Sequence, residues 1–159
     1  MEMKPVKVRE RGPTPRKFRK SMTAAKRHGW KESAQYFHTD LREKRFTRQH
    51  ARTAGYGRRS RRYVEQKKRR FGHMRPLEYT GDLRRRLRLG RIEGTTKLGR
   101  AKYPGGNKLN FRQRNSALNL RVEFTTLTRR ETTRVARVFD GEVDRQLKLD
   151  KTQETRVVR

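Results

Sequence analysis

The chain contains no cysteine, which excludes disulfides and thiolate metal sites. No apolar run approaches the roughly 20 residues of a membrane span. The opening Met1-Glu2-Met3-Lys4-Pro5 has no apolar core behind its charges, so a secretory signal is not expected. A soluble protein of reducing, cytoplasmic origin is the expectation. Hydrophobic residues are scarce, at 30% against 39% charged, so a core can form only if they concentrate in a few elements. Acidic residues are scarcer still, 16 against 46 basic, for a net charge of +30 on 159 residues. An excess of that size repels itself in a free monomer, so a polyanion or an acidic partner is the physical expectation. Of the 46 basic residues, 32 are Arg. The planar guanidinium pairs bidentately with phosphate or carboxylate, which suits packed interfaces better than a loosely solvated tail.

Signatures of catalysis are also missing. His28, His38, His50 and His73 are not spaced i, i+4 with a Glu between them, as a metalloprotease helix requires. There is no Gly-Lys-Ser/Thr phosphate loop, no Gly-x-Ser-x-Gly elbow and no Gly-x-Gly-x-x-Gly. Glu78, Asp82 and the Asp140/Glu142/Asp144 group could hold Mg²⁺. The first two, however, fit a helix N-terminus that favours anions, and the last three a solvated helix face. Neither an enzyme nor a bound cofactor or metal is expected.

The chain divides into an extended basic arm at 1–20, one α+β domain at 21–149 and a fraying tail at 150–159. Pro5, Pro13 and Pro15 among eight basic residues mark the arm. Ser21 is placed to cap a long first helix with apolar positions Met22, Ala25, Trp30, Ala34, Phe37 and Leu41. Gly29 in its middle costs about 1 kcal/mol relative to Ala. Thr47 is placed to cap a short helix ending at Gly55, and Thr80-Gly81 to start another turn that points Leu83 and Leu87 inward. Leu87, Leu89 and Ile92 read as a strand slipped at Arg91, and residues 94–107 as a mobile loop. Leu118, Leu120, Val122 and Phe124 alternate with polar residues as a second strand. Val135, Val138, Phe139, Val143 and Leu147 lie on one face of a final helix begun by Thr128 or Thr132. The expected architecture is a small antiparallel sheet covered by that C-terminal helix.

Arg58, Arg59, Arg61, Arg62, Lys67, Lys68, Arg69 and Arg70 put eight like charges within thirteen residues. They can bind a phosphate backbone with Tyr56 or Tyr63 stacking on a base, dock on an acidic neighbour, or form a solvated face. The density disfavours the last. His38 and His73, beside aromatic and glycine residues, suit either a metal-binding or pH-sensitive pair or local turn-fixing hydrogen bonds, and the latter is favoured.

Between Phe37 and Leu83 the motifs follow a definite order: Phe37-His38, Phe46-Thr47, Gly55-Tyr56, Arg59 to Tyr63, Lys67 to Arg70, Gly72-His73, Pro76-Leu77 and Thr80-Gly81-Asp82-Leu83. This order resembles the neck and tail-completion proteins of tailed bacteriophages, the head–tail joining and minor tail components, over about residues 30–90. The resemblance implies a structural virion protein that forms a sixfold or twelvefold homo-oligomeric ring around the DNA channel. Its partners would be other neck, connector and tail proteins, with non-specific contact to packaged DNA and none to membrane. The rival class is a ribosomal or ribonucleoprotein component binding RNA. It explains the charge equally well but leaves the Phe37–Leu83 order unexplained.

Overall fold

Two helices distant in sequence form the backbone of the molecule, and the computed structural model describes residues 14–111 and 118–157. The first helix, α1, runs Pro15–Tyr36, with the Thr14 hydroxyl accepting from the Lys17 N–H and Pro15 in the first turn. Proline suits that position because its fixed φ is already helical and its missing N–H would have no partner there. The helix therefore absorbs 15–20, which the proline pattern assigns to an extended arm, and Ser21 lies inside it rather than capping it. The remainder of that arm, 1–13, lies outside the described residues. A π turn, Phe37–Leu41, continues α1 to the fully buried Leu41, and a 3-10 turn over Glu43–Phe46 follows.

Helix α2, Arg48–Thr53, begins where the Thr47 hydroxyl accepts from the His50 N–H at 3.2 Å. Gly55, at φ +65°, releases the chain from it. Helix α3 spans Arg61–Phe71 and α4 spans Asp82–Arg86. The expected strand at 87–92 is divided: Leu87–Leu89 is a 3-10 turn, and pairing starts only at Arg91. Strand β1, Arg91–Gly94, pairs antiparallel with β2, Gly99–Lys102, through Arg91↔Lys102 and Gly94↔Gly99. Residues 99–102 of the expected 94–107 loop thus form a hairpin arm.

The 118–124 alternation does not produce a strand. Asn119 caps helix α5, Leu120–Thr125, by accepting the Val122 N–H at 3.2 Å. Leu120, Phe124 and Leu127 share a helical spacing that coexists with the alternation. Phe124 is buried while Val122 is turned out. Helix α6, Arg129–Val157, opens on a reciprocal cap: Thr128 N–H donates to Glu131 and Glu131 N–H to the Thr128 hydroxyl. It continues past 149 to Val157, and the last two residues of the expected tail lie outside the described residues.

Helices α1 and α6 pack antiparallel, since Gly29 meets Phe139 and Val143 while Ser33 donates to the Val135 carbonyl. A Cβ on Gly29 would lie 2.9 Å from the Phe139 ring, so the glycine weakens the helix locally but lets its partner approach. The hairpin packs on the opposite pole of the same logic. A Cβ on Gly94 would meet the Arg27 carbonyl at 2.3 Å and one on Gly99 the Trp30 carbonyl at 2.2 Å. Backbone therefore lies directly on backbone, and the element that grips the sheet is α1. The apolar core is Phe46, Leu77, Leu87, Leu109 and Phe124, with Phe37, Tyr56, Leu83, Tyr103 and Leu120 around it.

Candidate functional site

Helix α3 is a local consequence of its ends. The Ser60 hydroxyl accepts from the Tyr63 N–H at 3.3 Å, and Gly72 at φ +70° stops the helix. Lys68, Arg69 and Arg70 fill its last turn, where the helix dipole favours cations. Lys67 anchors the underside: it is buried, its ammonium donates to the Arg75 carbonyl, and it lies 5.8 Å from the centre of the Tyr63 ring. Burial lowers its pKa to about 8.

The eight expected docking residues separate into two groups. Arg59 faces inward, forking onto the Glu123 carboxylate at 2.8 and 2.5 Å and donating to the Gly57 carbonyl. Its side chain is 16% exposed and that of Glu123 only 5%. Arg59 and Lys67 are therefore framework residues, because Arg59 is committed to a buried carboxylate and the buried Lys67 to a backbone carbonyl. Arg58, Arg61, Arg62, Lys68, Arg69 and Arg70 stay exposed. Arg61 leans on Glu65 at 2.9 Å, a solvated i, i+4 pair worth a few tenths of a kcal/mol. Arg70 lies 5.4 Å from the centre of the Phe71 ring. Among the described residues Arg58, Arg62, Lys68 and Arg69 have no acidic partner.

Several motif residues from Phe37 to Leu83 pack into the core, and α3 is tied back by Arg59 to Glu123 and by Lys67 to the Arg75 carbonyl. Phe37 meets Phe124 edge-on, and Phe46, Leu77 and Leu83 join the core. The Tyr56 hydroxyl donates to the Arg45 carbonyl, and burial pushes its pKa well up. His38 stacks on Tyr103 at 5.6 Å, with Nδ1 3.4 Å from the tyrosine hydroxyl. Burial, then Arg42, holds His38 below the usual histidine range, and burial pushes Tyr103 up to about 12. His73 serves a separate turn, where its Nδ1 accepts the Arg75 N–H and its Nε2 lies 3.8 Å from Glu78. His73 is thus engaged within its own turn, whereas His38 meets Tyr103, 65 residues away. After Pro76, Leu77 adopts φ +57°, a costly conformation for a leucine, and enters the core. Thr80 accepts the Asp82 N–H, and Gly81 at φ +82° caps α4.

Three of the five candidate magnesium carboxylates, Glu78, Asp82 and Glu142, are paired with cations. Glu78 is buried between Arg75 and Arg84. Asp82 binds Arg86 and Lys108, and hydrogen bonds from Lys108 and Arg86 hold its carboxyl below the usual range. Glu142 forks onto Arg145. Among the described residues no group of three or more His, Asp or Glu is arranged to hold a metal ion.

Sequence reasoning misses a second basic set, in which Arg42 and Arg45 are buried and Arg84 is partly so. Arg45 is fully enclosed, donating to Glu131 at 3.0 Å and to the His50 ring. Its guanidinium also lies 5.2 Å from the Phe37 ring centre. Because Arg45 can only donate, the His50 nitrogen it meets must accept. Burial, then Arg45, keeps His50 below its ordinary pKa. Arg42 donates to the Leu87 carbonyl at 2.8 Å, and Arg84 binds Glu43 at 2.6 Å. The one signal in sequence is Thr128-x-x-Glu131, a capping box whose carboxylate also takes the arginine.

No family model matches the chain, and comparison with curated proteins and with solved structures finds no similar protein.

Proposed function

We propose that this chain is a structural assembly protein of a tailed-phage virion, working as a homo-oligomeric ring at the head–tail junction around the DNA channel. The observation that carries the reading is the organisation of residues 37–83. Phe37, Phe46, Tyr56, Leu77 and Leu83 of the ordered motifs pack into one core, and the same stretch holds an exposed arginine helix with a single acid on it. A face holding Arg58, Arg62, Lys68 and Arg69 without acidic partners is costly in isolation and favourable beside phosphates or carboxylates. A sixfold or twelvefold ring would multiply that face around a channel, where contacts to phosphates carry no base information. Other neck, connector and tail proteins are the remaining partners of this reading, and the virion is its location.

The proposed role is architectural, not chemical. Analytical ultracentrifugation of the purified full chain, alone and with random duplex DNA, tests the assembly. A closed sixfold or twelvefold species is expected, and a monomer under both conditions would contradict the reading. Purified protein with Mg²⁺ should leave DNA intact. Cleavage abolished by Asp82→Asn or Asp140→Asn would show chemistry instead.

A further inference from the structure

The exposed arginines of α3 adjoin a cluster of half-exposed aromatic rings. Tyr63 and Tyr79 are each 38% exposed, and their rings lie nearly parallel, 20° apart with centroids 6.0 Å apart. Phe71 meets the Tyr79 ring edge-on at 4.6 Å. Two large rings left open to solvent on a chain with 8% aromatic residues are not demanded by the core, which is complete without them. The turn before α4 displays Tyr79 at some cost. Leu77 accepts a positive φ and is buried, Glu78 is buried among arginines, and the next side chain faces outward against α3.

Helix geometry places the cations beside these rings. Arg62, Gln66, Arg69 and Arg70 share one face of α3, and Tyr63, Lys67 and Phe71 share the adjoining one. Arg70 links the two by lying against Phe71. Paired base-sized rings flanked by exposed guanidinium groups combine the two requirements for holding an unpaired nucleotide: a π face for the base and cations for its phosphate. An intact duplex supplies the phosphates but keeps its base faces stacked. An acidic peptide supplies charge and no flat face.

We infer that the Tyr63–Tyr79 pair is a stacking site for an unpaired base of single-stranded nucleic acid, whose phosphates lie along Arg62, Arg69 and Arg70. This rests on the reading that the α3 face meets nucleic acid, and it specifies which form. The test compares binding of the full chain to three labelled probes by fluorescence anisotropy: a dT 15-mer, a 15-mer of the same backbone lacking bases, and a 15-base-pair duplex. Wild type should bind the dT 15-mer about tenfold more tightly than the abasic strand, the scale expected for base–aromatic stacking. Tyr63→Leu/Tyr79→Leu should remove most of that preference and leave the salt slope and the duplex affinity unchanged. Tyr63→Phe/Tyr79→Phe, which retains the rings, should keep it. A uridine 15-mer run in parallel identifies ribose or deoxyribose as the better source of the base. Equal wild-type affinity for the dT and abasic strands overturns the stacking site while leaving the phosphate-binding reading intact, and this comparison needs no variant to fold. Absence of salt-dependent binding to all three probes overturns both.

Discussion

Arg59 and Arg58 are adjacent in sequence and opposite in fate. The first is forked onto a buried carboxylate, and the second is exposed with no acidic partner among the described residues. The same contrast separates two regions of the molecule. In the frame around α2 and the start of α6, Arg42, Arg45 and Arg59 are enclosed and paired with Glu43, Glu131 and Glu123. Along α3 the cations outnumber the one acid, Glu65, and all but the buried Lys67 face solvent. Of the 16 acidic residues, Glu123 and Glu131 are buried against arginines. Interior pairing is one to one, so the net excess stays on the surface, and α3 carries a dense share of it.

If the frame arginines are structural, removing an interior acid should destabilise the protein more than any change on α3. Glu131→Ala leaves Arg45 enclosed without its carboxylate and also removes the α6 cap. It should lower unfolding stability by about 3–5 kcal/mol, the usual cost of orphaning a buried charge, as read by urea denaturation. Gly99→Ala should come next, at about 2–3 kcal/mol, because its Cβ would overlap the Trp30 carbonyl and the hairpin must shift. A loss below about 0.5 kcal/mol would show that the hairpin does not grip α1. The smallest effect is the acid response. Burial and then Arg45 hold His50 low, so below about pH 6.5 the unfolded chain takes up a proton that the folded one refuses. For Glu131, burial raises the pKa, but the Thr128 N–H and Arg45 outweigh it and leave the carboxyl low. Both depressed values give stability that falls with pH. Urea midpoints should decline from pH 7 to 5.5 and further at pH 4, and His50→Asn should flatten the first interval.

The legible parts of the fold were those decided within a few residues. Thr47 and Thr128 accept N–H groups three positions on, and Gly55 ends α2, so cap chemistry is visible locally. The proline pattern places Pro15 in an extended arm, although the residue sits where a helix tolerates proline best. Helix α5 was obscured because Leu118, Leu120, Val122 and Phe124 satisfy a strand period and Leu120, Phe124 and Leu127 a helical one. Gly94 and Gly99 resembled loop punctuation, whereas their use is close backbone contact with α1. The division of the basic run was illegible because the deciding acid, Glu123, is 64 residues from Arg59. No local rule distinguishes Arg59 from Arg58.

A crossed comparison tests that division most directly. Duplex binding of wild type, Arg58→Ser/Arg62→Ser/Arg69→Ser/Arg70→Ser and Arg59→Ser is titrated with salt, and each protein's melting temperature is recorded. Each neutralised phosphate contributes about 0.9 to the slope of log affinity against log salt. The account predicts that the quadruple variant flattens the slope at an unchanged melting temperature, while Arg59→Ser lowers the melting temperature at an unchanged slope. A quadruple variant with the wild-type slope, or an Arg59→Ser protein that loses slope without losing stability, would contradict it.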